Sequence, residues 1–168
     1  GARVYAEFLG YGIGGEAYHI TAPEPTGTAE ARIMEEAIEE SGIKPSDVTY
    51  INAHGTGTPL NDKVETFSIK KVFGERAYSI PVSSIKSMVG HCLGSAGAIE
   101  AVASILSITH QFIPPTINHR EGDEDCDLDY VAGKSREMAV KVVLSNSFAF
   151  GGNCTTLVFG ESIPNLYR

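Results

Sequence analysis

Residues 94–108 are small or apolar on every side of a helix, with Glu100 as their single charge. A helix with no polar stripe is buried rather than laid on a surface, and this segment constrains the fold more than any other. The wider apolar stretch, residues 92–108, is broken by Gly94, Gly97 and Glu100. It falls short of the roughly 20 apolar residues that a membrane span needs, so no membrane partner is expected. With 168 residues and 42% hydrophobic composition the chain can build one core, and a single soluble domain is the expectation.

The rest alternates between strand and helix signals. Residues 4–12 alternate aromatic and aliphatic side chains like a strand. Pro23, Pro25 and Gly27 mark a loop, after which Thr28 is expected to cap a helix with Ala31, Met34, Ala37 and Ile38 on one face and Gly42 as its stop. Residues 48–53 form a short β-rich run. Leu60, Val64, Phe67 and Phe73 predict a second amphipathic helix. Residues 80–85 read as a strand, with Pro81 favouring its beginning or a sheet edge. The acidic stretch 121–129 reads as a solvated loop, and residues 140–145 and 155–159 as two strands around Phe148-Ala-Phe150-Gly-Gly. Such alternation predicts an α/β fold, a mixed or parallel sheet with helices on its faces.

Ligands in α/β folds gather at the carboxyl ends of strands. Three predicted strands end in polar or glycine-rich loops: Asn52-Ala-His54-Gly-Thr56-Gly-Thr58, Ser84-Ile-Lys86-Ser-Met-Val-Gly-His91, and Asn146-Ser-Phe148-Ala-Phe150-Gly-Gly-Asn153. Either histidine alone is more often a structural hydrogen-bond partner. Together, each on its own loop, they leave a shared site and two separate structural roles both open. No third ligand at short range supports a metal site. Glu100 on an apolar helix would cost on the order of several kcal/mol if buried unpaired; Lys86 is the candidate partner, and a solvent-facing helix edge the alternative. Cys154 opens a strand and reads as a small buried thiol, as does Cys92. Three cysteines without a signal-peptide pattern suggest a reducing cytoplasm. A net charge of −8 argues against nucleic acid, and neither glycine-rich loop has nucleotide-binding spacing.

The same three loops resemble the β-ketoacyl synthase family. The first is similar to its first histidine motif, the second, running through to Glu100, to its lysine and second-histidine motif, and the third to its glycine-rich gating loop; residues 16–23 match the stretch entering this half. The resemblance implies a thiolase-like half with a mixed five-stranded sheet, residues 1–168 forming the C-terminal domain and the cysteine-bearing half lying outside the chain. It implies decarboxylative Claisen condensation of malonyl on acyl carrier protein with an acyl thioester. His54, His91 and Lys86 would be catalytic, with Glu100 supporting Lys86. Phe150 would gate the site and lend its N–H to an oxyanion hole, with Phe148 beside it. Thr56, Thr58, Thr21 and Pro23 would line the phosphopantetheine arm, and Asn52, Glu100, Ser145 and Asn146 could surround a monovalent cation. No bound cofactor is implied; the substrates arrive on the phosphopantetheine of acyl carrier protein, and the full-length enzyme would be a homodimer.

This sequence departs from the family pattern at Ala149, where glycine is usual between the two phenylalanines and a Cβ could stiffen the gate. No segment resembles the nucleophile motif, so the chain alone should be inert. Two other readings stay open: a noncatalytic, chain-length-determining partner subunit, and a condensing domain of a polyketide synthase. The retained histidines favour an enzyme over the first, and the ending at residues 163–168, without an onward linker, leans against the second.

Overall fold

In the computed structural model, residues 2–120 and 122–162 are described. The ending at residues 163–168 and the first residue of the acidic stretch lie outside them. The chain runs through β1 (Glu7–Gly15), α1 (Thr28–Glu40), β2 (Tyr50–Asn52), α2 (Pro59–Phe73), β3 (Val82–Ser83), a one-turn α3 (Lys86–Val89) and α4 (Ala96–His110). It continues through β4 (Phe112–Ile113), β5 (Arg136–Glu137), β6 (Val142–Ala149) and β7 (Asn153–Gly160). Five strands pair in the order β1-β7-β6-β2-β3, while β4 and β5 form a separate ribbon. β1, β7 and β6 are antiparallel neighbours, and β6, β2 and β3 are parallel ones. This is the mixed five-stranded sheet expected from the sequence. β3 begins directly after Pro81 and forms a sheet edge, where a missing backbone N–H costs no ladder bond.

Side-chain alternation divides the interior in two. On one face Leu144 and Val158 meet Met34, Ala37 and Ile38 of α1 and Ile69 and Phe73 of α2. On the other, Tyr50, Val143 and Phe159 meet Ile108 of α4 and Ile113. Glycines set the distance between α1 and β1: a Cβ on Gly12 would stand 2.2 Å from the Ile33 carbonyl oxygen.

Four expectations need correction. Thr28 is the first residue of α1, not its cap; Gly27 occupies the cap in a left-handed conformation, and the Glu24 carboxylate accepts the N–H groups of Thr26 and Thr28. A carboxylate satisfies several free amides at a helix start where a threonine hydroxyl would satisfy one. Leu60 is exposed, and the buried side of α2 carries Asn61, Glu65, Thr66 and Ser68 beside Val64, Ile69 and Phe73. The acidic loop is solvated at residues 122–124, but Asp125, Asp127 and Asp129 beyond them are paired with Lys63, Lys70 and Arg136, and Leu128 is buried.

The largest correction concerns α4. Its buried residues are Ala96, Glu100, Ser104, Ser107 and Ile108, whereas Ile99, Val102 and Leu106 are 37%, 57% and 41% exposed. The helix lays a mainly polar face on the sheet and turns its apolar face outward. Residues Leu93–His110 also reach a mean hydropathy of 1.2 over 18 residues, enough by length and composition for a membrane span. The helix nevertheless packs a polar stripe on the sheet, and its outward apolar face is left uncovered by the described residues.

Candidate active site

Every principal side chain of the site is placed by the carboxyl ends of β2, β3 and β6. His54 follows β2 directly. Its backbone N–H and that of Gly55 each donate to the Glu65 carboxylate of α2 at 2.9 Å. The Gly55 carbonyl accepts from Ser84 Oγ at 2.7 Å. Gly55 has φ +42°, and a Cβ there would lie 2.5 Å from the Ser84 Cβ, so the tight turn after the histidine needs glycine. Sequence reasoning missed Glu65. It sits at helical spacing from the buried Asn61 and Ile69, a weak signal, and its partners are backbone amides that no motif reveals.

Lys86 opens α3 and is 8% exposed. Its ammonium is ion-paired with Glu100 and lies 3.2 Å from His54 Nδ1. The second carboxylate oxygen of Glu100 accepts from Ser147 Oγ at 3.4 Å. Burial raises the Glu100 carboxyl above its ordinary range, and Lys86 pulls it back. The lone carboxylate on α4 thus has the partner its position demands.

The two imidazoles are centred 5.5 Å apart at 83°. Burial first, then the Lys86 ammonium and His91, lower the His54 pKa to about 3, so His54 is neutral at physiological pH. With Lys86 donating to Nδ1, the ring proton of His54 belongs on Nε2. His91 Nδ1 accepts the Leu93 N–H at 3.1 Å, which assigns its Nε2 as donor in the neutral ring. The arrangement offers two N–H donors side by side, suited to an oxygen on which negative charge develops. Phe148 stands edge-on to His54 at 5.8 Å.

Other expected residues lie farther out. The hydroxyls of Thr56 and Thr58 meet at 2.9 Å beyond the histidine turn, where Thr58 also caps α2. Thr21 and Pro23 belong to the segment before α1 and make no recorded contact with the histidines. That segment is nevertheless tied to the turn holding Phe150: Gly151 N–H donates to the Ile20 carbonyl at 2.7 Å and Glu16 N–H to the Gly152 carbonyl at 3.0 Å. Phe150 is 75% exposed. Ala149 is fully extended, φ −135° and ψ 161°, so its Cβ causes no strain in this state.

Of the four residues considered for a cation, Asn52, Glu100 and Ser145 are brought together and Asn146 is not. Asn52 Nδ2 donates to the Glu100 carbonyl, Ser104 and Ser145, and Asn52 Oδ1 is buried with no partner among the described residues. Asn146 faces the other side of the sheet, where its side chain meets Glu65 and Thr156, because successive residues of β6 point to opposite faces. Both oxygens of Glu100 are engaged, one by Lys86 and the other by Ser147. Cys154 is buried as expected, its thiol pushed up to about 12 mainly by burial, whereas Cys92 is half-buried rather than buried, because it lies in the loop between α3 and α4, where its Sγ bonds the Val89 and Gly90 carbonyls. Neither resembles a nucleophile.

Residues 5–120 match the family model described as "Beta-ketoacyl synthase, C-terminal domain". Over 159 residues the chain is 54% identical to 3-oxoacyl-[acyl-carrier-protein] synthase 2 of Synechocystis, covering 95% of this chain and 38% of that protein. The synthase 2 of Coxiella burnetii is 51% identical, with coverage of 95% and 39%. The chain therefore spans about two fifths of the length of these relatives. Among solved structures, the ishigamide ketosynthase/chain length factor superposes with a TM-score of 0.92 at 44% identity, over 96% of this chain and 39% of that one. A type II PKS ketosynthase in complex with its acyl-carrier protein gives 0.94 at 42% identity, over 96% and 40%. A β-ketoacyl synthase from Burkholderia phymatum gives 0.90 at 39%, over 96% and 39%. With the thiolase-like sheet, the paired histidines and these matches in agreement, the chain belongs to the β-ketoacyl synthase family and is its C-terminal domain.

Proposed function

We propose that the chain is the decarboxylating half of an elongating 3-oxoacyl-acyl-carrier-protein synthase of fatty acid synthesis. The observation that carries this reading is the pair of imidazoles whose Nδ1 atoms are both engaged, leaving each Nε2 without a partner among the described residues, with His54 held neutral beside a buried lysine–glutamate pair. A malonyl thioester with its carbonyl oxygen between the two donors loses its carboxylate as CO2. The electrons of that C–C bond form an enolate whose oxyanion both N–H groups stabilise. The enolate carbon then attacks an acyl thioester on a cysteine of the other half, forming the new C–C bond and expelling the thiolate. Lys86, held by Glu100, positions His54, and burial together with the Lys86 charge keeps it neutral. Thr56 and Thr58, with Thr21 and Pro23 on the segment bonded to the Phe150 turn, would meet the phosphopantetheine arm of acyl carrier protein.

The fatty-acid assignment rests on identities of 54% and 51% to the synthase 2 relatives, against 44% for the ishigamide ketosynthase/chain length factor and 42% for the type II PKS ketosynthase. The intact histidine pair favours an enzyme over a noncatalytic partner subunit. The parent would work in the cytoplasm as a homodimer, with its substrates as acyl-carrier-protein thioesters and no bound cofactor. In the full-length parent, His54→Ala and His91→Ala should each abolish malonyl decarboxylation. Near-wild-type decarboxylation by both variants would overturn the reading.

A further inference from the structure

A cavity of about 360 Å³ lies behind the histidine turn, bounded by that turn, α2, the start of α3, residues 116–119, Cys126 and Tyr130. Its size is that of small-molecule sites. Neither His54 nor His91 lines it. Ala53, Ile69, Val82 and Ile117 give it apolar walls, and the Tyr130 ring, stacked on His119 at 6.0 Å and 27°, gives it a flat one.

Several hydroxyls on its walls already have partners. Thr66 bonds the Asp62 carbonyl and Tyr130, and Ser84 bonds the Gly55 carbonyl. Glu65 also reaches the wall, but both its oxygens are taken by backbone amides and Asn146. Asp62 differs: Oδ1 accepts from Gly57 N–H and Asn61 Nδ2, while Oδ2 has no hydrogen-bond partner among the described residues. The chamber thus combines an apolar body with one available carboxylate oxygen and a second carboxylate close by. The charge of Lys86 is already balanced by Glu100. An anion would meet two carboxylates here, whereas a cation would meet a waiting acceptor.

We propose that this cavity is a second ligand site, for a small aromatic amine or amidine whose cation rests on Asp62 and whose ring lies against Ile69, Ile117 and Tyr130. Its occupant would touch Gly55, Thr56 and Gly57, the turn that fixes His54, and so would act on the histidine pair from behind. That coupling rests on the function proposed above; binding does not.

Benzamidine, benzamide and benzoate present one ring with positive, neutral and negative heads. With isoleucine-methyl-labelled full-length protein, benzamidine should shift the Ile69 and Ile117 resonances and bind at least about tenfold more tightly than benzoate. Asp62→Asn should bring benzamidine down to the affinity of benzamide. Ile117→Trp should fill the chamber and abolish all three interactions, slowing malonyl decarboxylation to the extent that saturating benzamidine does. Saturating benzamidine should slow decarboxylation severalfold in the wild type and have no effect on Ile117→Trp. The proposal fails if benzamidine leaves both methyl groups unmoved, if benzoate binds equally well, or if Asp62→Asn has no effect. A parent that never decarboxylates yet shows the methyl shifts would refute the proposed function and leave the binding site standing.

Discussion

Lys86 and Glu100 each give up hydration to lie in the interior, and their attraction offsets that cost only while both remain. Lys86→Met or Glu100→Gln should therefore lower stability by about 3–5 kcal/mol, while Lys86→Met/Glu100→Leu should recover much of the loss in chemical denaturation yet stay inactive. Glu30 is buried on α1 against Ser68 and near Glu65, and burial first, then Glu65, raises its pKa to about 8. From its ordinary range up to that value the folded chain keeps a proton that the unfolded chain has lost, so stability falls as pH rises through the window. His54, shifted the other way, contributes stability that grows as pH rises from about 3 to its ordinary 6.5. Glu30→Gln should remove the alkaline loss, and the stability difference between variant and wild type should widen by a few kcal/mol from about pH 5 to pH 8. The Glu100 pairing was legible in the sequence because a single carboxylate on an apolar helix needs a counter-charge. Glu65 and Glu30 were not, because their partners are backbone amides and another helix.

At the scale of elements, the order of the five sheet strands and of α1, α2 and α4 followed from periodicity and from the breaks at proline and glycine, whereas the one-turn α3 and the two-residue strands β4 and β5 are too short to show a period. What periodicity left open was which side of each element faces inward. α2 buries a polar row because the histidine turn and Asn146 supply its donors, and α4 buries serines because Asn52 and Ser145 lie beneath them. The close seating of α1 on β1 was equally hidden, since a glycine in a strand does not say what approaches it. Gly12→Ala would drive its Cβ into the Ile33 carbonyl. It should cost about 1–3 kcal/mol by displacing α1, measurable in thermal unfolding, even though alanine suits a strand no worse than glycine.

For the whole molecule, the outward apolar face of α4 continues past Leu93, 79% exposed, and the sheet adds Phe8, Tyr11 and Ile13 on β1. Exposed apolar groups of this extent mark an interface. Because the chain spans only about two fifths of its relatives, we assign that interface to the remainder of the parent protein. α4 would then be buried after all, as the composition of residues 94–108 implied, but between two halves and not within one. Val102→Lys separates this occupant from the others. In the isolated chain it should lessen self-association and dye binding, since the lysine stays in water. In the full-length parent it should sharply reduce folded, soluble protein, because an unpaired ammonium would be sealed between the halves. A parent that tolerates Val102→Lys with its yield and melting temperature unchanged would show that α4 faces solvent, and the remainder of the chain would have to pack elsewhere.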